Sequence, residues 1–377
     1  MRRGVFAKSI LMSSSVIQIF SDSAKGTFRT QLLAWYDARA RDLPWRESCD
    51  TYRVWLSEIM LQQTRVAAVI AHYHEFLRRF PTVEKLARAR EASVLAAWSG
   101  LGYYRRARML HAAAKVVVRE LGGRFPSTAE GLMALPGVGR YTAAAIASIA
   151  FGEPVAVVDG NVERVLQRVS GRRMAGEDFW RAAEGLLDRE RPGDFNQAMM
   201  ELGATVCTPQ APACLTCPVV GLCATRGEMP GARKAARQKK REIHYALDLR
   251  EGKVFLVQRA RDERLMAGMW ELPEVALPAG VKSPYNGAGE IAALKALRHP
   301  KAGRGDSVEA CLELRHSITV TDYTVRVWRM SVSPRLGGKW IPVEKLGREA
   351  LTGLARKILR KVEAFAIDPN DARRHLR

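Results

Sequence analysis

Leu135-Pro136-Gly137-Val138-Gly139-Arg140-Tyr141-Thr142 is the stretch around which the chain is organised. A short apolar approach ends in Pro136, two glycines flank Val138, and an Ala-rich helical run follows from Ala143 to Ala150. Glycine removes the Cβ where a turn is tight or a partner comes close. The N–H groups that open the next helix lack intrahelical acceptors and sit at its positive end, so the turn around Gly137 and Gly139 predicts an anion site. A DNA phosphate fits that geometry. Further on, in Val157-Val158-Asp159-Gly160-Asn161-Val162, an aspartate follows an apolar run and precedes another helix.

The gross composition agrees. The chain has 377 residues, 47% of them hydrophobic, with 60 Lys+Arg against 39 Asp+Glu and a net charge of +21. That length supports two or three domains. The cationic excess points to a polyanion, most simply double-stranded DNA, with salt-dependent affinity. A membrane partner is disfavoured, because no stretch approaches the ~20 apolar residues of a spanning helix. Six cysteines occur, four of them between Cys207 and Cys223. Close clustering argues for a metal centre rather than a disulfide framework. Cys49 and Cys311 read as reduced thiols, and a cytoplasmic, monomeric chain is expected. Residues 1–23 read as a disordered extension, since the apolar part is short and no small-residue cleavage site follows.

From residue 24 to 229 the pattern is helical. Phe28, Leu32, Leu33 and Tyr36 mark one face, Pro44 ends that run, and Tyr52 to Phe80 reads as one long helix or two. Further helices are expected at 82–86, 91–98, 105–121, 128–134, 141–151, 162–169, 178–188 and 195–202. Hardly any stretch alternates with period two, so this part is all-α. Residues 230–242 carry Arg233, Lys234, Arg237, Lys239, Lys240 and Arg241 and read as a basic linker. Beyond it, 244–249 and 253–259 read as strands joined at Glu251-Gly252, and 312–318 and 324–331 as a second pair. A closing helix over 351–365 makes residues 243–366 an α+β domain, with 367–377 as a tail.

Two carboxylates stand out. On a helix, Trp55, Glu58, Ile59 and Gln62 share one face. A carboxyl between Trp and Ile is desolvated, its pKa rises, and it suits a general acid for a departing base. The competing reading is a surface Glu on an amphipathic helix. Asp159 reads as a helix N-cap, which is compatible with an ionised carboxylate that steadies an oxocarbenium-like sugar. Such a division of labour is that of sugar hydrolases, transferred to an N-glycosidic bond. Cys207-x6-Cys214-x2-Cys217-x5-Cys223 suits zinc or a [4Fe–4S] cluster on chemistry alone. Gly100-Leu101-Gly102-Tyr103-Tyr104-Arg105-Arg106 combines a Gly-rich turn with aromatics that wedge into stacked bases and arginines that meet phosphates, or it is a core tyrosine pair at a helix start.

The Pro-Gly-Val-Gly turn with the following aspartate resembles the helix-hairpin-helix DNA glycosylase superfamily. The chain resembles, over about residues 27 to 365, its MutY-type adenine DNA glycosylases, which remove adenine mispaired with 8-oxoguanine or guanine. The resemblance rests on Leu43-Pro44-Trp45-Arg46, Ser57 to Thr64, Gly100 to Tyr104, Val158 to Val162 and the four-cysteine loop. It implies an all-α helix-hairpin-helix glycosylase domain with an endonuclease III-like [4Fe–4S] loop held by Cys207, Cys214, Cys217 and Cys223. Glu58 matches the family's acid toward adenine N7, and Asp159 the carboxylate at the sugar. Asn161 and Tyr141 match supporting positions, Arg46 the adenine pocket, and Tyr103 the residue intercalating beside 8-oxoguanine. Gln63 and Thr64 match residues near that lesion, and DNA contacts extend to Gln62, Leu101, Gly137 and Gly139. Tyr141 stands where endonuclease III has its Schiff-base lysine, so hydrolysis without strand cleavage is expected.

Leu265 to Pro273 resembles the family's Nudix-like 8-oxoguanine-recognition domain, without the metal box of a Nudix hydrolase. Where the family presents Phe-Ser-His, this chain has Ile318-Thr319-Val320. Thr319 keeps a hydroxyl, but the histidine is gone, which implies a smaller preference for 8-oxoguanine:A over G:A. Two alternatives remain, a bifunctional endonuclease III-like glycosylase/lyase and a non-catalytic DNA-binding redox sensor.

Overall fold

The computed structural model describes residues 19–229, 239–263, 265–275, 310–318, 321–332 and 336–362. The helices, in chain order, begin with α1 (Asp22–Arg39), α2 (Thr51–Leu61), α3 (Val66–Arg79), α4 (Val83–Arg88), α5 (Glu91–Trp98) and α6 (Arg105–Arg119). They continue with α7 (Ala129–Met133), α8 (Arg140–Phe151), α9 (Gly160–Ser170), α10 (Glu177–Leu186) and α11 (Pro192–Thr205), and α12 (Gly353–Lys361) follows the strands. No helix among the described residues is long and apolar enough to cross a membrane. The chain divides into two compact units, Met1–Glu58 with Phe125–Ala232, and Ile59–Arg124 with Arg233–Arg377.

In the first unit, Phe28, Leu32 and Tyr36 of α1 pack with Val162, Val165 and Leu166 of α9 and Phe195, Ala198 and Leu202 of α11. Ser21 caps α1, its side chain accepting from Ala24 N. Helix α8 is buried along almost its whole length through Thr142 to Ser148. Its alanines leave little side-chain bulk, which lets neighbouring helices approach closely. Gly203 on α11 does the same for α9: a Cβ there would stand 2.6 Å from Asn161 Cβ. The extended segment before α9 is pinned by buried Asn196, whose Oδ1 accepts from Val157 N and whose Nδ2 donates to Val155 O and Ser148 Oγ.

In the second unit, Phe76, Leu86, Trp98 and Leu110 are fully buried among α3 to α6. The same unit carries β1 (Lys239–Leu247), β2 (Leu249–Arg250), β3 (Lys253–Gln258), β4 (Trp270–Glu271), β5 (Leu312–Ile318), β6 (Thr321–Arg329) and β7 (Lys339–Pro342). One sheet runs β1-β6-β5, with β1 parallel and β5 antiparallel to β6. The other is built on β3, which pairs with β2, β4 and β7. Glu251 and Gly252, at φ +49° and +69°, make the tight turn between β2 and β3. Leu354, Ile358 and Leu359 of α12 close the core over Val254, Leu256, Val325 and Val327.

The α+β reading of the C-terminal half is therefore correct, with two revisions. Strand β1 begins at Lys239, so the last four residues of the expected linker are strand. Their backbone pairs with β6 from Lys239↔Thr321 onward, and ladder hydrogen bonds outweigh the run of charge. The first strand of the domain also pairs with β6, not with β3. Thr319, Val320 and residues 1–18, 230–238 and 363–377, to which the sequence assigned roles, lie outside the described residues.

Candidate active site

Helix α2 buries Trp55, Leu56, Ile59 and Met60, and Glu58 among them is only 6% exposed. An apolar helix thus carries one carboxyl into the interior. Tyr141, on the second turn-facing position of α8, donates its hydroxyl to Glu58 Oε2 at 2.7 Å and also approaches Met200 Sδ of α11. Burial pushes Glu58 up to about 7; the Tyr141 hydrogen bond and the Arg46 charge oppose this, and Asp159 adds to it. Glu58 and Asp159 are therefore within electrostatic reach. Burial, then the charges of Glu58 and Asp159, raise Tyr141 well above the usual phenol value, so it stays a donor.

Asp159 is the N-cap of α9. Its carboxylate accepts from the backbone N–H of Asn161 and Val162 and from Asn161 Nδ2. The cap reading of this residue holds, and the cap fixes the carboxylate's direction. Asn161 is fixed in turn, because Arg164 Nη2 donates to its Oδ1, while Arg164 Nε donates to Cys207 O.

Arg46 belongs to the loop after α1 and does not stand free. Its Nη2 donates to Glu201 Oε2 at 2.9 Å, its Nη1 to Arg41 O, and its guanidinium lies over the Tyr36 ring. Glu201 and Met200 were missed in the sequence. The available signal was a lone carboxylate in the otherwise apolar run Ala198-Met199-Met200-Glu201-Leu202.

At the hairpin, Gly137 has φ +76° and Gly139 is the N-cap of α8 without a side-chain cap. A Cβ on Gly139 would meet no protein atom within 4 Å, so its face is open to a partner.

The remaining DNA-facing candidates lie in the second unit. Helix α2 ends at Leu61, so Gln62 stands just past its last residue; Gln63 follows at φ +56°. Tyr103 is 46% exposed at φ +47°, as a wedge requires, whereas Leu101 is buried. Arg106 does not meet phosphates. Its Nη1 donates to Ile59 O and Met60 O, and its Nη2 to Thr64 Oγ1, Leu101 O and Gly102 O, with Tyr103 and Trp98 stacked nearby. It ties the Gln62–Thr64 turn to the Tyr103 turn. The second turn is also anchored at its base, where Ser99 Oγ donates to Leu351 O and accepts from Arg356 Nε.

Cys207, Cys214, Cys217 and Cys223 line one cavity with Val165, Leu202 and Val219. Burial pushes the Cys217 thiol up to about 11, and the other three cysteines add to the shift. Arg168 Nη1 donates to Cys207 Sγ and Arg226 N to Cys223 Sγ. Among the described residues no three ligating side chains stand at coordinating distance as placed.

Residues 56–178 match the HhH-GPD superfamily of base excision DNA repair proteins. The chain is 37% identical to the adenine DNA glycosylase of Mus musculus, across 93% of this chain and 81% of that protein. The chain belongs to the adenine DNA glycosylase family. Its human relative of that name is 43% identical over 70% of this chain and 60% of its own length, and one from Mycobacterium tuberculosis 47% over 50% and 65%. The helical part of this adenine DNA glycosylase family member has the fold of a thermostable thymine-DNA glycosylase, with a TM-score of 0.51 at 30% identity over 54% of this chain and 97% of that one.

Proposed function

We propose that this chain hydrolyses the N-glycosidic bond of adenine mispaired with 8-oxoguanine or guanine in double-stranded DNA. The observation that carries the reading is a buried acid, Glu58, held near neutrality within reach of a capped carboxylate, Asp159. The target adenine must leave the stack, at a cost of roughly a few kcal/mol that is lower for a mispair. Glu58, protonated, gives its proton to adenine N7, so the base departs neutral. The C1′–N9 bond breaks, Asp159 steadies the cationic sugar, and water adds its hydroxyl to C1′ while its other proton returns to the Glu58 carboxylate. Tyr141 holds Glu58 in orientation, and Asn161 holds Asp159. With no amine at position 141, the sugar is not captured as a Schiff base and the strand stays intact.

Tyr103, Gln63 and Thr64 serve as the reading edge for the opposite base, and the turn of Gly137 and Gly139 receives a backbone phosphate. The four cysteines fit a [4Fe–4S] cluster by donor chemistry: all four residues line one apolar cavity, and N–H groups of Arg168 and Arg226 donate to the sulfurs of Cys207 and Cys223. Such a cluster would fasten the 207–223 loop against α9 and α11.

The test is base release from duplexes carrying A opposite 8-oxoguanine, G, C and T, with and without alkali. Release confined to the first two, with breaks only after alkali, is expected. Breaks without alkali, or abundant covalent adduct after borohydride, would establish the lyase reading instead.

A further inference from the structure

Glu201 is a charge buried where charge is costly, on the apolar face of α11 and 1% exposed. Its two oxygens are fully engaged by arginines. Oε1 accepts from Arg41 N and Nε, and Oε2 accepts from Arg41 Nη2 and Arg46 Nη2. Burial alone would raise its pKa, but Arg41 and Arg46 outweigh it and hold the group ionised. The Tyr36 ring and the Arg41 carbonyl complete the restraint on Arg46.

This anchorage matters because of what lies within reach of Arg46. The charged and titratable groups that act on Glu58 are Tyr141 from α8, Asp159 at the head of α9, and Arg46 from the loop after α1. Arg46 is the cation among them, and even from its anchored position its charge acts on Glu58. We propose that Glu201 is a positioning residue whose carboxylate captures Arg46 and keeps it from pairing directly with Glu58. A direct guanidinium–carboxylate pair would take the proton from the acid on which base release depends; such pairs lower a carboxyl pKa by about 1–3 units. Arg46 is thereby kept where it can face a bound base without disarming Glu58.

The inference rests on the proposed base-release reaction, and its test separates the two. Single-turnover adenine release is followed between about pH 5 and about pH 8.5 for the whole protein and for Glu201→Gln, Arg46→Gln and the double variant. Glu201→Gln should move the alkaline limb down by about one unit or more, so its loss near pH 8 exceeds its loss near pH 5 by about tenfold. Arg46→Gln should move the limb up, and the double variant should follow Arg46→Gln, because the charge that intrudes has been removed. A purely structural role for Glu201 would lower the rate equally at every pH. That parallel profile, or a double variant still shifted to acid, overturns the proposal. If Glu201→Gln does not fold, Glu201→Asp, which keeps the charge but shortens the reach to Arg46, decides in its place: an alkaline limb that does not move down overturns the proposal. Infrared titration of the Glu58 carboxyl needs no turnover. It reads the same shifts even if adenine is not the base released.

Discussion

Tyr141 donates its hydroxyl to Glu58 Oε2 at 2.7 Å, across 83 positions of sequence. This is the contact that couples the hairpin helix α8 to the acid on α2. A phenol that burial keeps protonated donates to the carboxylate, so it opposes the rise in the Glu58 pKa while fixing the carboxyl's orientation. Tyr141→Phe should therefore raise the Glu58 pKa further above about 7, move the alkaline limb of base release up relative to the unmodified chain and slow the reaction about tenfold at low pH. A pH–rate profile of Tyr141→Phe reads both; an unmoved limb would show that the hydrogen bond is not felt by the acid.

Glu58→Gln removes the proton donor and keeps the shape. Base release should fall by about 10²–10⁴-fold while binding to a duplex with a non-cleavable adenine analogue persists. Equal rates would show that Glu58 is not the acid.

The same variant has a stability signature. Folding raises Glu58 from 4.5 to about 7, so the stability linked to its proton is fully present below about pH 4.5 and lost as pH rises through about 7. The shift corresponds to about 3 kcal/mol, the cost of an ionised buried carboxylate. Glu58→Gln should therefore be more stable than the unmodified chain near pH 8 and gain little near pH 4. Thermal unfolding at the two pH values checks the sign; a gain at low pH only would contradict it.

Arg106 satisfies carbonyls of Ile59, Met60, Leu101 and Gly102 with one planar fork, which the three donors of a lysine cannot reproduce. Arg106→Lys should cost about 1–3 kcal/mol in unfolding free energy. It should also weaken discrimination between 8-oxoguanine and cytosine opposite adenine, because Thr64 and Tyr103 lose their common tie. Discrimination unchanged despite lower stability would confine Arg106 to packing.

Val320 stands where the resemblance places a histidine against the lesion. Val320→His should raise the ratio of rates on 8-oxoguanine:A over G:A relative to the unmodified chain. Paired kinetic assays on the two duplexes measure it, and a ratio that does not rise removes this position from lesion reading.

Local chemistry made much of this chain legible. Apolar periodicity gave helices such as 91–98 and 105–121 nearly to the residue, Asp159 declared itself as a cap, and Glu251-Gly252 as a turn, because caps, turns and periods are decided by neighbours in sequence. Residue types and spacing also nominated Glu58 and the four cysteines. The partners that give those residues their properties were not legible. Arg106 turned inward rather than toward phosphate, since the carbonyls it satisfies come from α2 and the Gly100 turn, more than forty positions away for α2.

The sequence by itself determined most of the helices, where the hairpin turns, and which side chains are chemically able to protonate a base or hold a metal centre. Only the tertiary structure decided that Glu58 holds its proton, that Glu201 rather than Glu58 takes Arg46, and that β1 joins β6. Proton affinity and ion pairing depend on water excluded by, and charges brought in from, distant parts of the chain, and no local pattern carries that information.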